Sequence, residues 1–357
     1  MTTSPDAMRA GLRKLAAGHH LSTSEAAAVF RDIMAGRCEP AQIGGLLMAL
    51  AIKRETMGEI SGAAEAMREA STRVTTQRER VIDTCGTGGS GVARRNVSSA
   101  VALACAACGV AVAKHGNRSA SSRSGSADVL EALGVDLDAP AEIVGRCIDE
   151  LGVGFLFARA LHPAMKHAGQ VRAPLGVPTI FNLLGPLTNP AQVRRQVLGV
   201  FDPSRVFDLA RALGVLGSER VFVVHGFARG VPAAIDSPAG IDDLSGEGES
   251  LVVEWHAGEL REHVLRPADA GLEEHATSEL AGGDPQANAQ ALRQLLAGQG
   301  EPAYRDAVIF AGALALLVAG EEPISALEGH ARRIRGVLDD GLAAQVLDRL
   351  IQRSRQR

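Results

Sequence analysis

The hydrophobic period changes once along the chain, near Arg80, and that change limits the folds open to it. Before it, every apolar pattern is helical. Ser22-x-x-Glu25 is a capping box, followed by Ala27, Phe30, Ile33 and Met34 at helical spacing as far as Gly36. Pro40 suits a first helical turn, with Ile43, Leu46, Leu47 and Leu50 behind it. Thr56-x-x-Glu59 is a second capping box, leading Ile60, Ala63 and Met67. No strand signal occurs here, so residues 1–75 read as a small all-helical unit. After Arg80, strand-like runs (81–84, 110–113, 153–157, 196–201, 220–225, 251–255) alternate with helix-like runs (100–108, 127–133, 141–151, 204–216). Such alternation predicts an α/β unit with a mainly parallel sheet, whose ligands bind beyond the carboxyl ends of the strands.

Two stretches interrupt the alternation. Residues 162–190, rich in Pro, Gly and Asn, read as a crossover in which 163–190 rejoins the helical unit. Residues 226–248 carry Gly, Pro and Asp without a helical period, and a long loop in a compact domain is often functional. The expected division is therefore 1–75 with 163–190 as one unit, and 76–162 with 191–357 as the other. The tail reads as helices over 285–297, 304–318 and 324–353. The apolar faces of the short N-terminal helices must be covered, by an internal core or by a second subunit.

Composition excludes several function classes. With 357 residues, 46% of them hydrophobic, a large core is available. A net charge of −4 does not suit general binding to nucleic acid or anionic membranes, and 3% aromatics leave few stacking platforms for single strands. We expect no membrane-spanning run and no signal peptide, and the five cysteines form no disulfide framework. These features predict a cytoplasmic protein with reduced thiols. Cys105-x-x-Cys108 lies in a helix-like run without a second pair, and reads as small core residues.

Two of the predicted strands end in loops suited to a polyanion. The first is Asp83-Thr84-Cys85-Gly86-Thr87-Gly88-Gly89-Ser90-Gly91, leading to Asn96-Val97-Ser98-Ser99. Its glycines match a dinucleotide fingerprint, but Lys114 stands near where the ribose-binding acid belongs. They also match P-loop spacing, but Val92 stands where that loop needs lysine. What remains is a turn of exposed N–H groups before a helix N-terminus capped by Asn96, which favours anions by roughly 0.3–1 kcal/mol per interaction. The second loop is the serine-rich run from Lys114 to Ser126. A sugar phosphate with many oxygens is the natural ligand of the two together.

The run Lys114-His-Gly-Asn-Arg-Ser-Ala-Ser-Ser-Arg-Ser-Gly-Ser126, continuing to Gly134, resembles the signature of anthranilate phosphoribosyltransferases. So does Asp83-x-x-Gly-Thr-Gly-Gly89 with Asn96-Val-Ser-Ser99. Similar matches follow in order at Gly154–Ala158, His162-Pro-Ala-Met-Lys-His167, Val171-Arg172, Phe181–Pro190, His225-Gly226, Gly240–Ser245 and Gly282-Gly-Asp-Pro285. The resemblance implies transfer of phosphoribose from phosphoribosyl pyrophosphate to anthranilate in tryptophan biosynthesis. It implies a fold of the nucleoside phosphorylase and phosphoribosyltransferase type, with a hinge between the units and a homodimer through the helical one. It also implies roles. Gly86, Gly88, Gly89, Ser90, Asn96, Ser98, Ser99, Lys114, Ser122 and Ser126 would bind phosphoribosyl pyrophosphate. Gly86, Asn117, His162 and Arg172 would bind anthranilate, and Ser98, Asp242 and Asp243 would hold magnesium. No residue is expected to act as a covalent nucleophile.

The chain departs from the family pattern at several places. Ser90 replaces an Asp, Arg94-Arg95 a Thr–aromatic pair, Arg123 a Lys, Arg159 a Pro and Asp243 a Glu. The link from Gly226 to Gly240 is longer by about a dozen residues, an insertion that loop entropy tolerates. Two other readings stand beside the first. One is a pyrimidine-nucleoside phosphorylase, against which Asn117, the full serine run and Arg172 argue. The other is a non-catalytic paralogue that binds phosphoribose or nucleic acid, which the charge of −4 does not favour.

Overall fold

The structure is a computed structural model that describes residues 6–89, 93–119, 124–229 and 240–356. Four helices come first: α1 (Asp6–Ala16), α2 (Thr23–Met34), α3 (Pro40–Lys53) and α4 (Met57–Glu69). Both predicted capping boxes form: Ser22 and Thr56 accept from the N–H groups of Glu25 and Glu59, whose carboxylates reach back. Pro40 occupies the first turn of α3.

The α/β part alternates as follows: β1 (Val81–Gly86), α5 (Val97–Ala107), β2 (Ala111–Gly116), α6 (Ser126–Leu133), α7 (Ala141–Leu151), β3 (Val153–Phe157), α8 (Ala158–Leu161), α9 (Met165–Leu175), α10 (Phe181–Leu184), β4 (Arg195–Gly199), α11 (Val206–Val215), β5 (Arg220–Phe227), β6 (Gly240–Ile241), β7 (Ser250–His256) and β8 (Glu259–Leu265). The chain closes with α12 (Pro285–Leu296), α13 (Pro302–Ala319), α14 (Leu327–Asp339) and α15 (Leu342–Ser354). The sheet order is β3-β2-β1-β4-β5-β7-β8, with β6 also on β5. β3 through β5 run parallel, and β7 and β8 extend the sheet antiparallel. The order reverses between β1 and β4, the position where an open α/β sheet offers a crevice.

Strand alternation divides the sheet between two cores. On one face Val197, Phe222 and Val224 pack with α5, α7 and the C-terminal helices. On the other, Leu198, Val221 and Val223 join Phe30, Leu46, Leu47 and Ile60 of the N-terminal helices. Ala168, Ile180, Phe181, Leu184 and Leu187, all from the irregular 162–190 stretch, lie in this second core.

Four expectations need correction. The stretch 162–190 is not without helix: α9 forms despite Pro174, whose missing N–H falls in a last turn closed by left-handed Gly176 (φ 64°). β8 escaped notice because Glu-Leu-Arg-Glu-His-Val-Leu is a charged edge strand, the composition that discourages edge pairing. The tail helix over 324–353 breaks at Asp340-Gly341, where Gly341 takes φ 66° and starts α15. Lastly, α13 is long and apolar enough to cross a membrane, with a mean hydropathy of 1.5. It is instead packed against α5, β1, β4, β5 and α14, with residues from Ala303 to Val318 buried along it. Cys105 is fully buried among these side chains, with Cys108 against the same core, as expected of small core residues.

Candidate functional site

Three of the parallel strands end on glycine, Gly86 on β1, Gly116 on β2 and Gly199 on β4, and Gly226 is the last residue but one of β5. Gly86 and Gly199 are register partners. The segment after β6 lies directly on them. A Cβ at Gly199 would stand 1.9 Å from the Asp242 carbonyl, one at Gly86 2.5 Å from Asp242 Oδ2, and one at Gly226 2.5 Å from the Asp243 carbonyl. Only bare backbone lets two acidic residues rest across the strand ends at the switch point. The Gly88 N–H donates to Asp242 Oδ2 at 2.8 Å. Burial pushes the Asp243 carboxyl up to about 6, the Arg94 guanidinium opposing this and Asp242 adding to it. His225, fully buried and bonded through Nδ1 to the Val200 carbonyl at 3.0 Å, supports Gly240 at the start of the segment.

The loop after β1 is clamped from the far side. Arg94 and Ala281 form an antiparallel bridge; Arg95 N–H donates to Leu280 O, and Gly282 N–H to Ala93 O, both at 2.9 Å. Gly282 is required there, since a Cβ would meet the Arg94 carbonyl at 2.5 Å. This gives the Gly282-Gly-Asp-Pro285 motif its role. Asn96 takes the N-cap position of α5, but its side chain makes no capping bond, contrary to expectation. Asn288 Nδ2 donates to Asn96 Oδ1 at 3.1 Å and holds the amide elsewhere. Arg94 reaches Asp242 Oδ1 at 2.6 Å and Asp243 Oδ2 at 3.3 Å.

The second loop is held at both ends. Asp128 on α6 accepts from the N–H groups of Ser119 (3.2 Å) and Gly125 (2.9 Å), and pairs with Arg118 at 2.9 Å. A Cβ on Gly125 would meet the Ser119 nitrogen at 2.4 Å, and one on Gly116 the Ser126 hydroxyl at 2.3 Å. Lys114 is buried and gives its ammonium to the Thr84 carbonyl. Behind the loops, Asp83 is fully buried and receives the His115 N–H at 3.0 Å and Asn189 Nδ2 at 2.8 Å. Asn189 also bonds the Ala113 carbonyl at 2.8 Å, so this residue ties the returning segment to β1 and β2.

The opposite wall comes from α9 and α10. Arg172 lies over the Phe181 ring (5.2 Å to its centre) and reaches Asn182 Oδ1 at 3.4 Å. Partial burial lowers its pKa from the ordinary value, and arginine stays charged regardless.

A cleft of about 440 Å3 joins these walls. Of the predicted residues it brings together Gly86, Gly88, Gly89, Asn96, Ser98, Lys114, Asn117, Ser126, Arg172, Asp242 and Asp243. Two do not reach it. Ser99 points into the α5 packing, where its hydroxyl is buried without a partner among the described residues. His162 lies behind the wall against His115, ring centres 5.2 Å apart, and burial pushes the pair down to about 4 and about 3. Ser90, Ser122 and Arg123 lie outside the described residues. Sequence reasoning missed Gly199 and the Asp83–Asn189 tie; the glycine ending successive strands was the available signal for the first. Two carboxylates converging on the cationic head of Arg94 also show that the pair, with Ser98 beside it in the cleft, suits a cation with oxygen ligands.

A helical unit beside an α/β unit whose strand ends carry a polar, glycine-lined cleft defines a two-part glycosyl transferase. Residues 10–71 match the glycosyl transferase family, helical bundle domain, and residues 78–344 the glycosyl transferase family, a/b domain. The chain belongs to this family, in the group formed by the anthranilate phosphoribosyltransferases. It is 47% identical over 354 residues to the anthranilate phosphoribosyltransferase of Rhodospirillum rubrum, covering 98% of each chain, and 45% identical over 349 residues to that of Rubrobacter xylanophilus, again 98% of each. It resembles the crystal structure of anthranilate phosphoribosyltransferase from Thermus thermophilus with a TM-score of 0.88 at 45% identity, over 97% and 99% of the chains. The Saccharomyces cerevisiae enzyme in complex with PRPP and Mg gives 0.86 at 26% identity, over 98% and 99%.

Proposed function

We propose that this chain transfers the phosphoribosyl group of phosphoribosyl pyrophosphate to the amine of anthranilate, releasing pyrophosphate, as a step of tryptophan biosynthesis. The observation that carries the reading is a single cleft lined by two amide- and hydroxyl-rich strand-end loops, an acid pair and, from the other wall, Arg172. Gly86, Gly88 and Gly89 bring the bare backbone of the β1 loop to the pyrophosphate, with the Gly88 N–H held by Asp242 Oδ2 until substrate enters; Asn96, Ser98 and Ser126 add polar side chains. Lys114 supplies charge beneath them. Arg172 meets the anthranilate carboxylate with its fork, and Asn117 helps orient the ring. Asp242, Asp243 and Ser98 would hold magnesium, which supplies positive charge beside the departing pyrophosphate.

As the C1–oxygen bond breaks, positive charge develops on the ribose and negative charge on pyrophosphate. The amides and Lys114 stabilise the latter. The aryl amine of anthranilate is neutral at pH 7, so its attack needs orientation rather than a strong base. We assign His162 a supporting role behind His115, and Ser99 to packing. We further propose that residues 1–75 and 163–190 move as one unit on a hinge, and that the protein is a cytoplasmic homodimer through its helices. Ile52 on α3, a large apolar side chain 78% exposed, supports that face. The test mixes protein, magnesium, phosphoribosyl pyrophosphate and anthranilate and follows anthranilate fluorescence. Fluorescence should fall; a folded protein that leaves it constant refutes the reading.

A further inference from the structure

Arg94 is not a surface arginine. Its side chain is 9% exposed, its two terminal nitrogens are spent on Asp242 and Asp243, and its Nε is buried without a partner among the described residues. Its backbone is fixed by the bridge to Ala281 and by Gly282 packed against its carbonyl. The second oxygen of Asp242 is taken by the Gly88 N–H. The guanidinium therefore lies on one oxygen of each carboxylate that a divalent ion would need and competes with it there: magnesium requires oxygens at about 2.0–2.1 Å, and like charges brought that close repel.

We propose that Arg94 is a built-in counter-cation that competes with divalent metal for the Asp242–Asp243 pair, so that the substrate-free protein binds metal weakly. Arg94 offsets part of the charge of the half-buried pair before substrate arrives. When pyrophosphate enters the cleft, it offers the fork of Arg94 an alternative anion of the geometry that fork suits. Metal and substrate then bind together rather than in independent steps. This rests on the reading that the acid pair is the metal site.

The experiment measures Mn2+ binding to substrate-free protein at pH 8, by electron paramagnetic resonance, for wild type and the variants Arg94→Gln, Arg94→Ala and Arg94→Lys. Circular dichroism checks that each folds. Giving up a charge-assisted hydrogen bond corresponds to about tenfold or more in affinity. Arg94→Gln, which keeps size and polarity without charge, should bind Mn2+ about tenfold tighter than wild type, and Arg94→Ala likewise. Arg94→Lys should stay near wild type. Adding Asp242→Asn and Asp243→Asn to Arg94→Gln should erase the gain. Unchanged or weaker binding in Arg94→Gln overturns the proposal, as does a gain that survives loss of both carboxylates. Wild type that consumes anthranilate while Arg94→Gln shows no gain refutes this inference alone. A wild type without turnover refutes the reading beneath it.

Discussion

Gly199→Ala is the sharpest probe of how the cleft is built. The added Cβ would stand 1.9 Å from the Asp242 carbonyl oxygen and 2.6 Å from its carbon. Both are backbone atoms, so no rotamer change relieves the overlap. Contacts under 3.0 Å are essentially never seen, which leaves about 1.1 Å to be found. The strand will not supply it. β4 is paired on both sides, to β1 and β5, and Gly199 O receives the Thr87 N–H at 2.9 Å. The acid segment, attached through the two-residue β6, must retreat instead.

Two magnitudes follow. Overpacking of this kind costs roughly 1–3 kcal/mol of stability. Misplacement of a binding group by ~1 Å costs on the order of 100-fold in rate. The fluorescence assay, run against each substrate in turn, should show kcat/KM for phosphoribosyl pyrophosphate falling about 100-fold, with a higher magnesium requirement. The KM for anthranilate should change little, since Arg172 sits on the other wall. Gly169→Ala is the control: nothing lies within 4 Å of its Cβ, and a glycine inside α9 should gain about 0.5–1 kcal/mol on becoming alanine. A folded Gly199→Ala enzyme with wild-type use of phosphoribosyl pyrophosphate would refute the placement of the acid pair.

Arg172→Ala should raise the KM for anthranilate about tenfold or more while leaving phosphoribosyl pyrophosphate binding near wild type, because it removes a charged partner of one substrate only. Equal loss for both, measured by steady-state kinetics, would mean the acceptor binds elsewhere. Asn189→Ala strips a donor from the fully buried Asp83 carboxylate and should cost roughly 2–4 kcal/mol in urea unfolding; a negligible loss would show that the tie is not structural. His115 and His162, held by burial at about 3 and about 4 against 6.5 unfolded, fix the sign of an acid effect. The unfolded chain takes up these protons first, so stability is complete above about pH 6.5 and falls toward pH 4, by about 1.4 kcal/mol per pH unit per histidine. His162→Gln should flatten that slope; an unchanged slope would show the ring is already protonated or solvated.

The helical start and the alternating elements after Arg80 were readable because each carries a local signal: capping boxes, a period of 3.6, or apolar runs between turn residues. α9 was not, because Pro174 masks a helix that tolerates it only in its last turn. β8 was not, because an edge strand is selected for charge rather than alternation. The loops after β1 and β2 announced an anion site through composition alone. What they do not encode is which residues face the cleft. Ser98 and Ser99 are neighbours in one helical turn, yet only Ser98 lines it, because consecutive residues point about 100° apart. Asn96 was legible as a cap position, but its amide is claimed by Asn288, which lies on α12 and is far along the chain.

The same distance in sequence explains why donor and acceptor halves of the cleft differ in legibility. The residues proposed for phosphoribosyl pyrophosphate stand on β1, β2 and their loops, between Gly86 and Ser126. Arg172, proposed for the acceptor, stands on α9 beside α10, whose apolar residues Ala168, Phe181 and Leu184 belong to a core shared with α2, α3 and α4. That core continues through Leu198, Val221 and Val223 onto the sheet. Arg172 is therefore positioned relative to the β1 loop by side-chain packing across two units, not by any strand or motif. Substitutions that loosen this packing, such as Phe181→Ala at the ring beneath Arg172, should therefore change use of the proposed acceptor while leaving the β1 and β2 loops in place. The acid pair is positioned by a third route, bare backbone resting on glycines, and that is why its sensitivity lies at Gly199, which holds no substrate.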